Sequence, residues 1–189
     1  MIDQTTAPSA MQPAASRYDG VTILLHWLTA ILVVCLFGSA LIWDELERGT
    51  WLRKGLQSLH ISMGLLLAAV ILLRIVWRLA RADDLPPAAT GLQHLASKAI
   101  HLLLYVLLVG QVALGFLFRW AQNEPFAFFG LFSVPRLIDI DPSLRHLIGT
   151  LHDYTAWTII GIAALHAAAA LGHHYVLKDR VLGRMVPGM

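Results

Sequence analysis

The sequence predicts an all-α membrane protein in which four transmembrane helices form an up-down bundle. Composition is the first reason, because the 189 residues are 57% hydrophobic and only 14% charged. Soluble domains carry about 25% charged residues, so this chain has too little charge to cover a water-exposed surface. The second reason is the presence of four apolar segments, each long enough to cross a hydrocarbon core of about 30 Å as a helix.

The first span is predicted over residues 21–43, whose only ionisable side chains are His26 and Cys35. A cleaved signal peptide is the alternative, but a histidine within the apolar run is unusual for one. Cys35 has no second cysteine to pair with, which predicts a core or lipid-facing position. Residues 1–16 are polar and aperiodic, which predicts a disordered cytoplasmic tail before a membrane domain of residues 17–189.

The second span is predicted over residues 59–79 and the third over residues 99–118. A Pro-Pro pair within residues 81–91 cannot continue a helix, so the chain breaks between these spans. Residues 92–98 are predicted to form a short separate helix at the membrane interface.

The fourth span is predicted over residues 152–177. Residues 119–145 precede it, and they contain three prolines and the aromatic string PFAFFG. This composition predicts an ordered loop at the membrane interface, with His146 also in the loop.

Four spans place both chain termini on the same side of the membrane. Assigning the termini to the cytoplasm puts eight of the fourteen Lys and Arg residues inside and six outside, which agrees with the positive-inside rule. The net charge is only +2, and the basic residues form no run of the kind that binds nucleic acid. We therefore expect the lipid bilayer, and not nucleic acid, to be a partner of this chain.

Four of the nine histidines fall at paired depths in the predicted bundle. His152 and His166 are fourteen residues apart in the fourth span, which places them within about 40° of one azimuth and about 21 Å apart along the helix. His26 lies near the cytoplasmic end of the first span, and His60 lies at the outer end of the second. His26 and His166 therefore lie at one depth in the membrane and form one predicted pair, and His60 and His152 lie at another depth and form the second.

Two imidazoles from facing helices of an apolar bundle suit bis-histidine haem b, so the sequence predicts two b haems. Zinc fits less well, because it normally takes four ligands and only Asp153 lies at a matching depth. A single membrane histidine is more often a packing residue than a ligand. Four histidines at paired depths favour metal ligation by His26, His60, His152 and His166.

Other basic side chains lie at the cytoplasmic ends of the spans. Arg74, Arg78, His173 and Lys178 are candidates for contacts with haem propionates or with a quinone headgroup. An ordinary interfacial position is the alternative for His173. His94 and His101 are at interfacial depth, where contact with solvent and contact with a propionate are equally plausible.

Several motifs follow one another along the chain, namely LHW at His26, LHI at His60, HLLLY from His101, and LHAAAALGHHY at His166 followed by Lys178-Asp179. With these motifs, essentially everything after residue 16 resembles the prokaryotic cytochrome b561 family. The resemblance implies a four-helix bundle in the bacterial inner membrane with two b haems. It also maps the haem ligands onto His26, His60, His152 and His166, the same four histidines that lie at paired depths.

The resemblance further implies electron transfer with quinone. The pattern is most similar to members that oxidise superoxide to O2 at the periplasmic side and reduce ubiquinone, although Leu151 stands where a tryptophan is expected in them. The alternative is a cytochrome b subunit that relays electrons between quinone and a periplasmic partner protein. A third possibility is a helical bundle without redox function, in which the histidines bind another metal or pack.

Overall fold

Four long helices make up the computed structural model, which describes residues 17–81, 91–124, 126–179 and 181–186. They are α1 (Gly20–Asp44), α2 (Trp51–Ala80), α3 (Gly91–Ala121) and α4 (Arg145–Gly172). Each is long and apolar enough to cross a membrane, so the predicted fold class is confirmed. The predicted tail at residues 1–16 and most of the predicted break at 81–91 lie outside the described residues.

Side-chain caps fix where the first two helices begin. The Asp19 carboxylate accepts hydrogen bonds from the main-chain N–H groups of Val21 and Thr22 at 3.0 and 3.1 Å, and α1 starts at the next residue. The Thr50 hydroxyl caps α2 in the same way by accepting from the Arg53 N–H. These bonds satisfy donors that a helix leaves unpaired in its first turn.

Two predicted boundaries are wrong. Residues 92–98 do not form a separate interfacial helix, because α3 runs unbroken from Gly91 to Ala121. This stretch contains neither Pro nor Gly, so nothing in it interrupts the hydrogen-bond ladder. The fourth helix starts at Arg145 after a short turn, Pro142–Leu144, and His146 therefore lies exposed in its first turn and not in the loop.

The helices form two close pairs, because α1 packs along α2 and α3 packs along α4. A shared core of buried side chains joins the pairs, and it consists of Leu25, Leu32, Leu36, Leu67, Val70, Ile71, Leu108 and Ile159. Many other apolar side chains, such as Leu24 and Val34, point outward, as expected for a surface that lipid covers. Cys35 is exposed, so of its two predicted positions the structure supports the lipid-facing one.

A β-hairpin lies at one end of the bundle, within the predicted loop of residues 119–145. Its strands are β1 (Phe126–Phe128) and β2 (Phe132–Val134), which pair antiparallel. Phe129 and Gly130 both have positive φ, of 47° and 73°, as the tight turns that favour hairpins require. We call this the hairpin end of the bundle; the described chain termini lie at the opposite, terminal end.

The hairpin is attached to α2 through Ser62, which is only 1% exposed. The Ser62 hydroxyl accepts a hydrogen bond from the Phe129 N–H at 2.9 Å and lies 3.3 Å from the Ala127 carbonyl oxygen. Because Ser62 follows His60 by two residues, this attachment holds the hairpin next to one of the candidate ligands.

Candidate functional site

The structure brings together both predicted histidine pairs. At the hairpin end, the ring centroids of His60 on α2 and His152 on α4 are 6.4 Å apart, with an angle of 67° between the ring planes. At the terminal end, the rings of His26 on α1 and His166 on α4 are also 6.4 Å apart, at 66°. We call these the hairpin pair and the terminal pair.

The spacing of both pairs fits one metal ion between the two rings. Two metal–imidazole bonds of about 2 Å each, with each ring nitrogen about 1 Å from its ring centre, separate the centroids by about 6 Å. Among the described residues, no group of three or more His, Cys, Asp or Glu side chains surrounds such a point. Each pair therefore offers two ligands, the number of axial ligands that a haem iron accepts.

The helix packing around α4 is uneven. Helix α4 packs along α3, whereas its histidine-bearing side approaches α1 and α2 much less closely. A porphyrin needs an apolar slot of this kind between facing helices. The residues present therefore fit b-type haem, and iron ligation by the four histidines stays a prediction.

His60 is held by the end of α1. Its Nδ1 lies 3.0 Å from the Leu36 carbonyl oxygen and 3.1 Å from the Ser39 hydroxyl, and its ring packs edge-on against Trp43. A ring nitrogen that donates to a carbonyl leaves the other nitrogen as the metal ligand. The contacts of His60 therefore leave Nε2 as the available ligand atom.

His152 is held by α3 instead. The side-chain nitrogen of Gln111 lies 3.2 Å from His152 Nε2. Gly115 lies one turn further along α3, and a Cβ atom placed there would be 3.4 Å from His152 Cε1. The ring therefore rests against a part of α3 where only glycine or a very small side chain leaves it room.

In the terminal pair, Arg74 donates a hydrogen bond to His26 Nδ1 at 3.1 Å. The guanidinium also lies over the ring of Tyr105, 5.1 Å from its centroid. Arg74 is partly buried, whereas Arg78, the second predicted arginine, is exposed one turn further along α2. Of these two residues, the structure brings only Arg74 into contact with a candidate ligand.

His101, for which the sequence predicts only an interfacial depth, is a further histidine at the terminal end. Its ring centroid lies only 5.1 Å from that of His166, which makes it a direct neighbour of the terminal pair. This distance is too short for an iron between the two rings, so the 6.4 Å pair remains the better candidate for ligation. The sequence does indicate this position, because the depth of His101 in the third span is close to the depth of His26 in the first.

His173 lies where α4 passes into a wider π-helical turn, His173–Leu177. Its Nδ1 is 2.5 Å from the Asp179 carboxylate, and this hydrogen bond holds the pKa of the Asp179 carboxyl below its ordinary value. Lys178 lies between them in a left-handed conformation and is exposed. The predicted residues His173 and Lys178 therefore lie in one turn at the terminal end.

The last described residues close back over the start of α1. Trp27 Nε1 donates to the Met185 carbonyl at 2.9 Å, and the Tyr18 N–H donates to the Arg184 carbonyl at 3.2 Å. Because Trp27 is next to His26, the C-terminal segment is connected to the terminal pair through α1.

The hairpin end carries charges of both signs, and carboxylates accompany several of its arginines. Arg53 lies 3.6 Å from Asp44, Arg119 lies 3.1 Å from Glu124, and Arg136 lies 3.0 Å from Asp139. A cavity of about 330 Å³ lies beside the hairpin, and its lining includes Trp120 and Phe126. This end therefore offers a recessed surface of mixed charge and not a purely cationic one.

Comparison with known proteins gives a consistent result. The sequence model of the prokaryotic cytochrome b561 family matches residues 17–188. "Cytochrome b561 homolog 2" of Escherichia coli K12 is 33% identical over 90% of this chain and 91% of that protein. "Cytochrome b561 homolog 1" of the same organism is 27% identical over 91% and 98%. "Probable superoxide oxidase CybB" of Yersinia pestis is 28% identical over 90% and 96%.

Proposed function

This chain belongs to the prokaryotic cytochrome b561 family, and on that premise we propose that it is a di-haem superoxide:ubiquinone oxidoreductase. Membrane electron transfer and b-type haem binding follow from the family itself. The proposal adds the number of haems, their ligands and the two substrates. It also assigns residues 17–189 to the membrane domain of a bacterial inner-membrane protein, with residues 1–16 as a cytoplasmic tail and both termini in the cytoplasm.

The observation that carries the proposal is the matching geometry of the two pairs. They join different helices, yet both have a centroid separation of 6.4 Å and nearly the same ring angle. Ordinary side-chain packing has no reason to repeat this arrangement at both ends of a bundle. We therefore assign His60 and His152 to one haem, and His26 and His166 to the other.

Arg74 is the proposed partner of a haem propionate at the terminal pair. It donates to His26 Nδ1, but an imidazole that ligates iron through Nε2 carries its own proton on Nδ1 and can no longer accept there. The guanidinium must then take another acceptor. A propionate carboxylate is the acceptor that haem itself brings, and arginine binds carboxylates strongly.

We place the quinone headgroup at the terminal end, near His173 and Lys178, with Arg78 as a further candidate contact. The carboxylate of Asp179 accepts from His173 Nδ1. This bond orients the ring and leaves Nε2 as an acceptor for a hydroxyl group of the reduced quinone. The exposed cations in the same region, Arg78 and Lys178, favour an anionic reduced quinone electrostatically.

Bound haem supplies the one-electron redox chemistry that the side chains lack. Two superoxide ions each lose one electron and leave as O2, and ubiquinone takes up both electrons with two protons to give ubiquinol. Superoxide is the proposed electron donor because the name of the Yersinia pestis relative refers to this substrate. It is assigned to the hairpin end, because this end is periplasmic if both termini are cytoplasmic.

The haem assignment is tested by a dithionite-reduced minus oxidised spectrum of detergent-purified protein, together with a haem-to-protein ratio. We expect two haems in the parent, and one in each of the variants H60A, H152A, H26A and H166A. His146→Ala is the matched control, because His146 is exposed at the start of α4. Unchanged haem content in the four ligand variants would overturn the assignment.

The alternative is that the chain only relays electrons between quinone and a periplasmic protein. The ion pairs of Arg53, Arg119 and Arg136 favour this alternative, because they reduce the cationic field that would attract superoxide. Haem reduction by superoxide in the isolated protein, saturating with dose and followed by ubiquinol formation, supports the oxidoreductase. Reduction that occurs only after a periplasmic extract is added would support the relay.

A further inference from the structure

The two rings of the hairpin pair have different surroundings. Nδ1 of His60 lies within hydrogen-bond distance of two α1 groups, the Leu36 carbonyl and the Ser39 hydroxyl. Nδ1 of His152 is buried and has no hydrogen-bond partner among the described residues. A metal-ligating histidine almost always donates its second N–H to an oxygen, which fixes the ring and increases its basicity. His152 therefore lacks an acceptor that its proposed role requires.

Gln111 already fixes which nitrogen of His152 carries the proton. The amide nitrogen of Gln111 can only donate, so His152 Nε2, at 3.2 Å, is the acceptor and the ring proton is on Nδ1. This tautomer is the one that binds iron through Nε2. The Gln111 side chain therefore occupies the same lone pair that a haem iron would take.

The amide of Gln111 also contains the missing acceptor. Its oxygen, Oε1, is buried without a described partner, just as His152 Nδ1 is. Nδ1 faces the same stretch of α3, because a Cβ atom at Gly115, one turn from Gln111, would be 3.9 Å from it. When iron takes Nε2, the amide is released, and a rotation of this side chain can satisfy both buried atoms together.

We propose that Gln111 is a positioning residue for the haem of the hairpin pair, with its side-chain oxygen accepting a hydrogen bond from His152 Nδ1–H in the loaded protein. The proposal rests on the proposed function, since it requires His152 to ligate iron. A stronger acceptor makes the imidazole more electron-donating and stabilises ferric iron, which lowers the reduction potential of that haem. Gln111 thus sets the potential of one haem without touching the other pair.

The test is a redox titration of the two haems in purified holoprotein, combined with low-temperature electron paramagnetic resonance spectra. Gln111→Leu removes the acceptor, so we expect the potential of the hairpin-pair haem to rise and its low-spin signal to shift. The terminal-pair haem is the internal control and keeps its potential. Gln111→Glu retains a side-chain oxygen acceptor, and we expect it to return the potential to the parent value or below.

Ala113→Leu is the matched control on α3, because residue 113 is exposed two positions from Gln111. We expect it to leave both potentials unchanged. Loss of the hairpin-pair haem alone in Q111L, with its recovery in Q111E, would support the same role. Loss of both haems in Q111L would contradict it, since that result indicates a folding defect of α3.

An unchanged potential and spectrum in Q111L would also overturn the proposal. The main-chain carbonyl of Gln111, which lies near the His152 ring but makes no hydrogen bond to Nδ1 in the structure, would then be the acceptor. This failure is distinct from failure of the proposed function. In that second case the unsubstituted protein itself would not contain two haems that depend on the four histidines.

Discussion

His152 and His166 lie on one side of α4, and each ring is 6.4 Å from a histidine of the α1–α2 pair. One helix therefore contributes half of each candidate site. Any displacement of α4 relative to α1 and α2 changes both histidine pairs, whereas a change on α3 beside one ring affects a single pair. This asymmetry allows the two sites to be altered separately.

Gly115→Leu tests the support of His152 on α3. A Cβ atom at this position would be 3.4 Å from His152 Cε1, so the remaining atoms of a leucine would displace the ring. We expect loss of one haem and retention of the other, measured as the haem-to-protein ratio. Gly110→Leu is the control, because a Cβ atom at Gly110 meets nothing within 4 Å. Equal haem content in the two variants would contradict the account of this contact.

Gly149→Ala tests the packing of α4 on α3. A Cβ atom at Gly149 would come within 2.9 Å of Phe118 Cε2, closer than van der Waals contact allows. We expect a loss of stability of about 1–3 kcal/mol, as overpacking typically causes, seen as a lower midpoint of thermal unfolding in detergent. The second change Phe118→Leu should restore much of this stability. Gly161→Ala, which meets open space inside the same helix, should leave the midpoint unchanged or raise it slightly, because alanine favours a helix more than glycine does.

The sequence predicts the histidine pairs because depth in a membrane helix follows directly from residue number. Rotation of each helix about its axis does not follow in this way, since the hydrophobic faces of lipid-exposed helices are weakly defined. The contacts of Gln111 with His152 and of Ser62 with the hairpin depend on this rotation, and the sequence analysis does not anticipate them. The start of α4 was placed seven residues too late, because polar residues near a helix end resemble a loop.

Ser62→Ala tests the attachment of the hairpin. The substitution removes the oxygen that accepts from the Phe129 N–H at 2.9 Å, a bond of about 1 kcal/mol. We expect faster proteolysis within residues 126–134 and no loss of α-helical signal. Ser58→Ala is the control, because only the main-chain carbonyl of Ser58 contacts Ser62 and the substitution keeps it. Equal cleavage rates in the parent and S62A would show that Ser62 does not hold the hairpin.

Asp179→Asn tests the hydrogen bond that closes the terminal end. His173 donates to the Asp179 carboxylate, which lowers the pKa of this carboxyl in the folded protein. A carboxyl whose pKa is lowered by folding stabilises the folded state at pH values above its unfolded pKa. This contribution is lost as the pH falls through the folded pKa. In the parent, the C-terminal segment should therefore loosen only in acid, below about pH 4.

Hydrogen exchange of residues 179–186 as a function of pH measures this loosening. In D179N the charged acceptor is absent, so we expect fast exchange at neutral pH and no further acid step from this group. Because a neutral amide oxygen is a weaker acceptor than the carboxylate, it holds His173 less firmly, and we expect the KM for the proposed substrate ubiquinone to rise while the haem content stays constant. Asp139→Asn, at the opposite end of the bundle, is the control for both measurements. Exchange in D179N that matches the parent at neutral pH would show that this bond does not hold the segment.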